Sequence, residues 1–137
     1  MIIVSRGQKN VDEAVASLKP LNVTGFACNV SNTKERVEVM KKIDAQFGRI
    51  DVLVQNVAAS THFGEAFDIT EKAYDKMWDV NVKSLFFGIV EAKPLLCKAK
   101  GDANIMIISS VAGFDPPRGI GIYGVTKTAL NGLVSLL

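Results

Sequence analysis

The chain has 137 residues, enough for one domain with a hydrophobic core, and 48% of them are hydrophobic. Its net charge of +2, with no cluster of Lys or Arg, argues against a nucleic-acid or anionic-membrane partner. The longest apolar run, residues 85–90, is far shorter than the roughly 20 residues that cross a bilayer, and no signal peptide is recognisable. Cys28 and Cys97 lack the spacing of a metal site, so we expect reduced thiols, no metal and an intracellular, soluble domain.

The first part of the chain predicts two strands that alternate with two helices. A largely β-branched run at residues 2–4 predicts a strand that is covered on both faces. Asn10 and Glu13 form a capping-box pattern for a helix over residues 11–19. A second strand is expected within residues 23–30.

Asn32 and Glu35 repeat the capping-box pattern and begin a second helix, which Gly48 would end. The apolar face of this helix is expected to comprise Val37, Met40, Ile43 and Phe47. A third buried strand follows at residues 50–56.

A polar loop at residues 59–68 leads to a long helix that Thr70 caps and that extends to about residue 100. One apolar stripe on this helix consists of Trp78, Leu85, Ile89, Ala92 and Leu96. A second stripe consists of Val82, Phe86 and Val90. Because only one stripe can face a sheet, the second needs another partner, and we expect a homo-oligomer, a dimer or tetramer.

A fourth strand is predicted at residues 104–110, followed by a loop at 111–121 and a helix from about residue 122 to residue 137. Strands joined by helices predict parallel βαβ units. The sequence therefore predicts an α/β fold with a doubly wound parallel sheet, in a single domain over residues 1–137.

In such sheets, ligands bind at the carboxyl ends of the strands. Just beyond the last predicted strand lies the stretch YGVTK, in which Tyr123 and Lys127 share one face of a helix. A tyrosine hydroxyl ordinarily loses its proton only near pH 10, and a neighbouring ammonium favours the deprotonated form. Such a pair can exchange a proton with an alcohol or a carbonyl. The spacing alone is common by chance, so it needs support from other residues.

Two further polar residues strengthen this interpretation. Ser110 ends the preceding predicted strand, where its hydroxyl could hydrogen-bond the same substrate oxygen. Asn81 places an amide between Val80 and Val82 in an apolar helix. That amide is either a functional group or one that is satisfied within the core, and both alternatives stay open.

The residues Asn81, Ser110, Tyr123 and Lys127 resemble the Asn-Ser-Tyr-Lys tetrad of the short-chain dehydrogenase/reductase family. The stretch LVQNVAAS, residues 53–60, resembles the Asn-Asn-Ala-Gly motif that follows the fourth strand in that family. Within that family, the wording of three other stretches most resembles one branch, the NADPH-dependent carbonyl and retinol reductases of the dehydrogenase/reductase member 4 type. These stretches are SRGQKNVDEAVASL, VTGFACNV and YGVTKTAL. The resemblance covers nearly the whole chain.

The resemblance implies a role for each tetrad residue. Tyr123 would be the acid/base, and Lys127 would assist it and hold the nicotinamide ribose. Ser110 would orient the carbonyl, and Asn81 would hold a water molecule in a proton relay.

The resemblance also implies cofactor contacts. Asn56 and Ala58 would lie along the cofactor. Asn29, where the family more usually has Asp, would lie beside the adenine, and Val30 would pack on that ring.

Ser5 and Arg6 lie where NAD-preferring folds place an acidic residue that binds the ribose hydroxyls. A carboxylate there would repel a 2′-phosphate, whereas a guanidinium binds it with charge-assisted hydrogen bonds. The sequence therefore favours NADP(H). The alternative is that Arg6 is simply solvated at a strand end.

The register of the resemblance implies a partial Rossmann-type fold. The family's first strand, with its glycine-rich phosphate-binding turn, would precede residue 1, and further strands would follow residue 137. We expect hydride transfer between NADP(H) and a carbonyl or alcohol, such as a ketone, aldehyde, dicarbonyl or retinoid. The alternative is a catalytically inactive truncated isoform that acts through subunit pairing. We expect the 137 residues alone neither to bind NADPH tightly nor to reduce carbonyls, because the phosphate-binding turn would be missing.

Overall fold

The computed structural model describes all 137 residues, which form two compact units, Met1–Gly48 and Arg49–Leu137. The first unit contains β1 (Ile2–Ser5), α1 (Gln8–Ser17), β2 (Thr24–Ala27) and α2 (Thr33–Phe47). β1 and β2 pair in parallel, with Ser5 opposite Ala27. This is the βαβ arrangement that the sequence predicted.

Helix α1 packs directly on β2, and Gly25 makes this approach possible. A Cβ at Gly25 would collide with Cγ1 of the buried Val11 and would lie 2.9 Å from Cγ2 of Val15. The capping-box prediction for Asn10 and Glu13 is wrong, because the helix begins at Gln8 with Gly7 as its N-cap and has no side-chain cap. Asn10 therefore lies inside the first turn, where it cannot cap the helix.

Helix α2 begins as predicted, but only part of its predicted face is buried. The Asn32 Oδ1 accepts from the amides of Lys34 and Glu35, and the left-handed Gly48 ends the helix. Its buried residues are Arg36, Val39 and Ile43. Of the predicted face, Val37 and Phe47 are exposed, whereas Ile43 is buried and Met40 is half-buried. The buried Arg36 is hydrogen-bonded, because its guanidinium donates to the Val30 carbonyl at 2.5 Å and to the Thr33 hydroxyl at 3.2 Å.

The second unit has a parallel strand pair and three helices. Its elements are β3 (Val52–Gln55), α3 (Glu71–Trp78), α4 (Ser84–Leu96), β4 (Asn104–Ile107) and α5 (Gly121–Leu136). Thr70 caps α3 as predicted, and a π-helical turn, Asp79–Lys83, joins α3 to α4. The predicted long helix is therefore continuous but ends at Leu96, before residue 100.

The core of the second unit lies on one face of the β3–β4 pair. Leu85 and Ile89 of α4 meet Leu130 and Leu133 of α5, and the partly buried Leu53, Val57 and Ile107 pack against them. On the opposite face, the side chains that are more than half exposed are Val52, Val54 and Met106. The prediction of strands buried on both faces is wrong here, because α4 and α5 both cover the same face.

The predicted partial Rossmann-type fold is confirmed, because the strands are parallel and are joined by helices. β1 pairs with β2 and β3 pairs with β4, in two separate two-stranded sheets. None of the helices combines the length and the apolar character that crossing a membrane would require.

Candidate active site

Several of the predicted site residues follow the two strands of the second unit. Gln55 is paired with Ile107, and the Ile108 amide donates to the Gln55 carbonyl at 2.9 Å. Because the strands are parallel, their carboxyl ends share one edge. Asn56 therefore begins the segment beyond β3 at the same edge where Ser110 follows β4.

Ser110 leaves β4 in an extended conformation and caps a short 3₁₀ turn, Val111–Gly113. Its Oγ accepts a hydrogen bond from the Ala112 amide at 3.2 Å. The hydroxyl hydrogen is not used by this contact and can be donated to a substrate oxygen.

This 3₁₀ turn is pressed against the start of α5. The Ser109 hydroxyl donates to the Lys127 carbonyl at 3.0 Å, and the Thr128 hydroxyl donates to the Gly113 carbonyl at 2.6 Å. Gly124 has no room for a side chain, since a Cβ there would lie 2.6 Å from the Ala112 carbonyl oxygen. The close approach fixes the turn of Ser110 relative to the helix that carries Tyr123 and Lys127.

Tyr123 and Lys127 lie together at the start of α5, with the Lys127 Nζ 5.8 Å from the centroid of the Tyr123 ring. Lys127 is only 2% exposed, and its Nζ donates to the Ile108 carbonyl at the end of β4 at 3.0 Å. Burial lowers the pKa of Lys127, because removal from water disfavours the ammonium form. A cation and a phenol therefore lie side by side near the carboxyl end of β4, which Ser110 follows.

Asn81 lies in the π-helical turn and is fully buried. Its Oδ1 accepts from the Ala59 amide at 2.7 Å, and its Nδ2 donates to the Ala59 carbonyl and to the Thr126 hydroxyl, each at 2.9 Å. The side chain thus makes all of these hydrogen bonds to protein groups. It fixes the loop after β3, which also contains Asn56 and Ala58.

The four cofactor residues predicted in the first unit share the carboxyl edge of the β1–β2 pair. Ser5 ends β1, and its carbonyl accepts from the Cys28 amide at 2.8 Å, just before Asn29 and Val30. The Arg6 side chain follows Ser5 and is exposed. This edge therefore presents one cation and two polar residues.

A carboxylate stands close to Asn29. The backbone N–H of Asn29 donates to the Glu35 Oε2 at 2.7 Å, and the side-chain Oδ1 of Asn29 accepts from the backbone N–H of Ser31 at 3.2 Å. The Asn29 side chain is thus held by the turn that leads into α2, so that an uncharged amide takes the place of the more usual Asp.

Two depressions mark the surface of the second unit. One, of about 450 Å³, lies between residues 64–66 and residues 116–121, and Gly121 in its lining is two residues before Tyr123. The other, of about 1000 Å³, lies along α3 and α4 and contains none of the predicted site residues.

The sequence analysis did not identify Thr126, Ser109 and Ala59. Thr126 and Ala59 form hydrogen bonds with Asn81, and Ser109 forms one with Lys127. Thr126 carried a usable signal, since a hydroxyl between Tyr123 and Lys127 on an inward-facing turn needs partners. Ala59 carried none, because it contributes only backbone atoms.

The model of the short chain dehydrogenase family matches residues 1–137. The chain therefore belongs to this family of oxidoreductases, which use nicotinamide cofactors, and the predicted family resemblance is confirmed.

Named relatives agree with this assignment. The chain is 42% identical over 139 aligned residues to the tropinone reductase-like 3 protein of Erythroxylum coca and 40% identical to dehydrogenase/reductase SDR family member 4 of Oryctolagus cuniculus. Each alignment covers 100% of this chain and 53% of the relative. The chain thus spans about half the length of these curated relatives.

Solved structures show the same fold. ElxO with NADP bound superimposes with a TM-score of 0.86 at 27% identity, over 96% of this chain and 54% of that one. A short-chain type dehydrogenase/reductase from Mycobacterium ulcerans gives a TM-score of 0.90 at 25% identity, over 98% of this chain and 50% of that one.

Proposed function

We propose that the protein transfers hydride between NADP(H) and a carbonyl or alcohol substrate. The observation that carries the proposal is the grouping of Tyr123, Lys127 and the turn of Ser110 at one strand edge. When bound, the nicotinamide supplies or accepts the hydride. Tyr123 gives a proton to the developing alkoxide, or takes one from the alcohol in the reverse direction. Ser110 donates its hydroxyl hydrogen to the same oxygen and orients it.

Lys127 and the loop after β3 support this chemistry. The Lys127 ammonium is almost completely buried and lies 5.8 Å from the centroid of the Tyr123 ring. In this proposal Lys127 also holds the nicotinamide ribose, and Asn56 and Ala58 lie along the cofactor. Asn81 holds that loop through its hydrogen bonds to Ala59, and in this proposal it also holds the water molecule of the proton relay.

The preference for NADP(H) rests on the edge of the first unit. The exposed Arg6 follows Ser5 where a carboxylate would select NAD. Asn29 and Val30 would contact the adenine there. A similar structure, ElxO, is described with NADP bound, which supports the same choice. The substrate class we propose is a ketone, aldehyde, dicarbonyl or retinoid.

Because the chain belongs to an oxidoreductase family, we do not favour the alternative of a non-catalytic protein that acts only through subunit pairing.

Self-association is nevertheless part of our proposal. Phe86, Phe87 and Val90 are 37%, 41% and 48% exposed on α4. Alternating charges border this face, namely Glu71, Lys72, Asp75, Lys76, Asp79 and Lys83. Such an apolar face with both signs of charge at its rim complements a second copy of itself.

Substitution of Tyr123 by Phe in the longest natural form of the protein tests the proposed chemistry. We expect kcat for reduction of a panel of aliphatic, aromatic and 1,2-dicarbonyl compounds to fall at least about 100-fold, because proton transfer is lost. NADPH affinity, measured by fluorescence titration, should stay within threefold. Tyr74→Phe on α3 is the matched control. A Tyr123→Phe enzyme with the wild-type hydride-transfer rate, or a wild-type protein inactive on the whole panel, would contradict the proposal.

A further inference from the structure

Thr126 is a completely buried hydroxyl between the two residues of the proposed proton-transfer pair. Its Oγ1 donates to the Tyr123 carbonyl at 2.7 Å and accepts from the Asn81 Nδ2 at 2.9 Å. Asn81 in turn holds both backbone groups of Ala59. A continuous chain of hydrogen bonds therefore runs from the loop after β3 to the backbone of Tyr123.

The chemistry of the groups fixes the direction of every bond in this chain. The Ala59 amide can only donate, so the Asn81 atom that it meets must be the carbonyl oxygen, and the other atom is the NH₂. That NH₂ can only donate, so Thr126 must accept. The single hydroxyl hydrogen of Thr126 is then left for the Tyr123 carbonyl. The network has one self-consistent arrangement.

The bond between Thr126 and Asn81 is more than the usual bond of a helical hydroxyl to its own backbone. Helical Ser and Thr commonly donate to a preceding carbonyl, as Ser135 does to the Asn131 carbonyl at 3.1 Å on the same helix. Thr126 also accepts from a residue 45 positions away in the sequence. Loss of its hydroxyl would leave a buried amide hydrogen of Asn81 without a partner, which is costly.

We propose that Thr126 is a positioning residue for the proposed hydride transfer. It holds the first turn of α5, and with it Tyr123, in fixed register with the loop that contains Asn56 and Ala58. Tyr123 needs this register because proton transfer is efficient only when the phenol and the reacting oxygen are closely aligned. The inference rests on the proposed function and assigns a residue to it that the tetrad does not include.

Thr126→Val and Thr126→Ser, in the longest natural form of the protein, test this role. Val keeps the shape and removes the hydroxyl, whereas Ser keeps the hydroxyl. We expect Thr126→Val to lower kcat by 10- to 100-fold, since a small misplacement of a reacting group can cost about that much. NADPH affinity should change less than threefold, and Thr126→Ser should keep kcat within threefold of wild type. Ser135→Ala is the control for loss of a helical back-bond.

A kcat of Thr126→Val within threefold of wild type overturns the inference, as does a Ser variant that is as impaired as the Val variant. If Thr126→Val does not melt cooperatively, Thr126→Ala is measured by the same criteria, because it places no methyl group against the Asn81 amide.

Amide hydrogen exchange at Ala59 separates this inference from the proposed function, because it needs no turnover. We expect exchange at Ala59 to be at least tenfold faster in Thr126→Val and unchanged in Thr126→Ser. A wild-type protein without reductase activity would overturn the proposed function, and the exchange at Ala59 would then decide the positioning role alone. Equal exchange in wild type and Thr126→Val overturns the link between the loop and α5.

Discussion

Lys127 combines a charge with nearly complete burial. Its ammonium has one protein acceptor, the Ile108 carbonyl at 3.0 Å, and burial lowers its pKa below the ordinary value of 10.5. In the pH range between the lowered value and 10.5, the unfolded chain binds more protons at this residue than the folded chain. The residue therefore opposes folding while it is charged, and this cost is relieved as pH rises through that range.

Lys127→Met tests this cost, because Met keeps the length of the side chain without its charge. We expect the variant to melt at a higher temperature than wild type at pH 7, and the difference to narrow as pH approaches 10. Differential scanning calorimetry at several pH values measures it. A difference that stays constant with pH would show that the Lys127 ammonium carries no desolvation cost.

Arg6 is the residue on which the proposed cofactor preference depends. Arg6→Asp would replace a group that binds the 2′-phosphate by one that repels it and binds the ribose hydroxyls. We expect the ratio of kcat/KM for NADPH to that for NADH to fall at least about tenfold, equivalent to about 1.4 kcal/mol. Lys41→Asp on α2 makes the same kind of charge change and should leave the ratio alone. An unaltered ratio in Arg6→Asp would mean that Arg6 is only solvated surface charge.

At the scale of elements, α4 shows how one helix serves two surfaces. The first predicted stripe is buried in the core, with Leu85 at 0% and Ile89 at 6% exposure, while Phe86 and Val90 of the second stripe remain exposed. The buried stripe packs against β3, β4 and α5. The exposed stripe is the surface that our proposal assigns to a second copy of the chain.

Phe86→Glu tests that assignment, because a buried unpaired charge would oppose association. We expect the longest natural form of the protein to be a dimer or larger by sedimentation velocity and the variant to dissociate at least tenfold more readily. Val37→Glu, on the exposed side of α2, is the matched control. A wild-type monomer, or a Phe86→Glu protein with unchanged association, would contradict this use of the face.

At the scale of the whole molecule, the chain covers about half the length of its relatives and contains two separate parallel strand pairs. Each pair presents its candidate residues at the carboxyl edge, as the fold class requires. The prediction of one domain over residues 1–137 stays a prediction, as do the roles of the individual site residues.

The sequence by itself determined the order of strands and helices and the family. Local signals were sufficient for the order of the elements, because β-branched runs, the Asn32 cap and Gly48 act through neighbouring residues. The family was recognisable from the resemblance of its tetrad and of the stretch LVQNVAAS to known motifs. The pair Tyr123 and Lys127 was also recognisable, since their spacing on one helix brings them together without help from other elements.

Only the tertiary structure decided which faces and partners these residues use. Helix α1 begins before the pattern at Asn10 that predicted its cap, and α2 buries Arg36, whose guanidinium donates to the Val30 carbonyl. The bonds that join Asn81 to Ala59 and Thr126 span 22 and 45 positions in the sequence. No local pattern encodes such contacts, because they exist only after the loop after β3, the π-helical turn and α5 have come together.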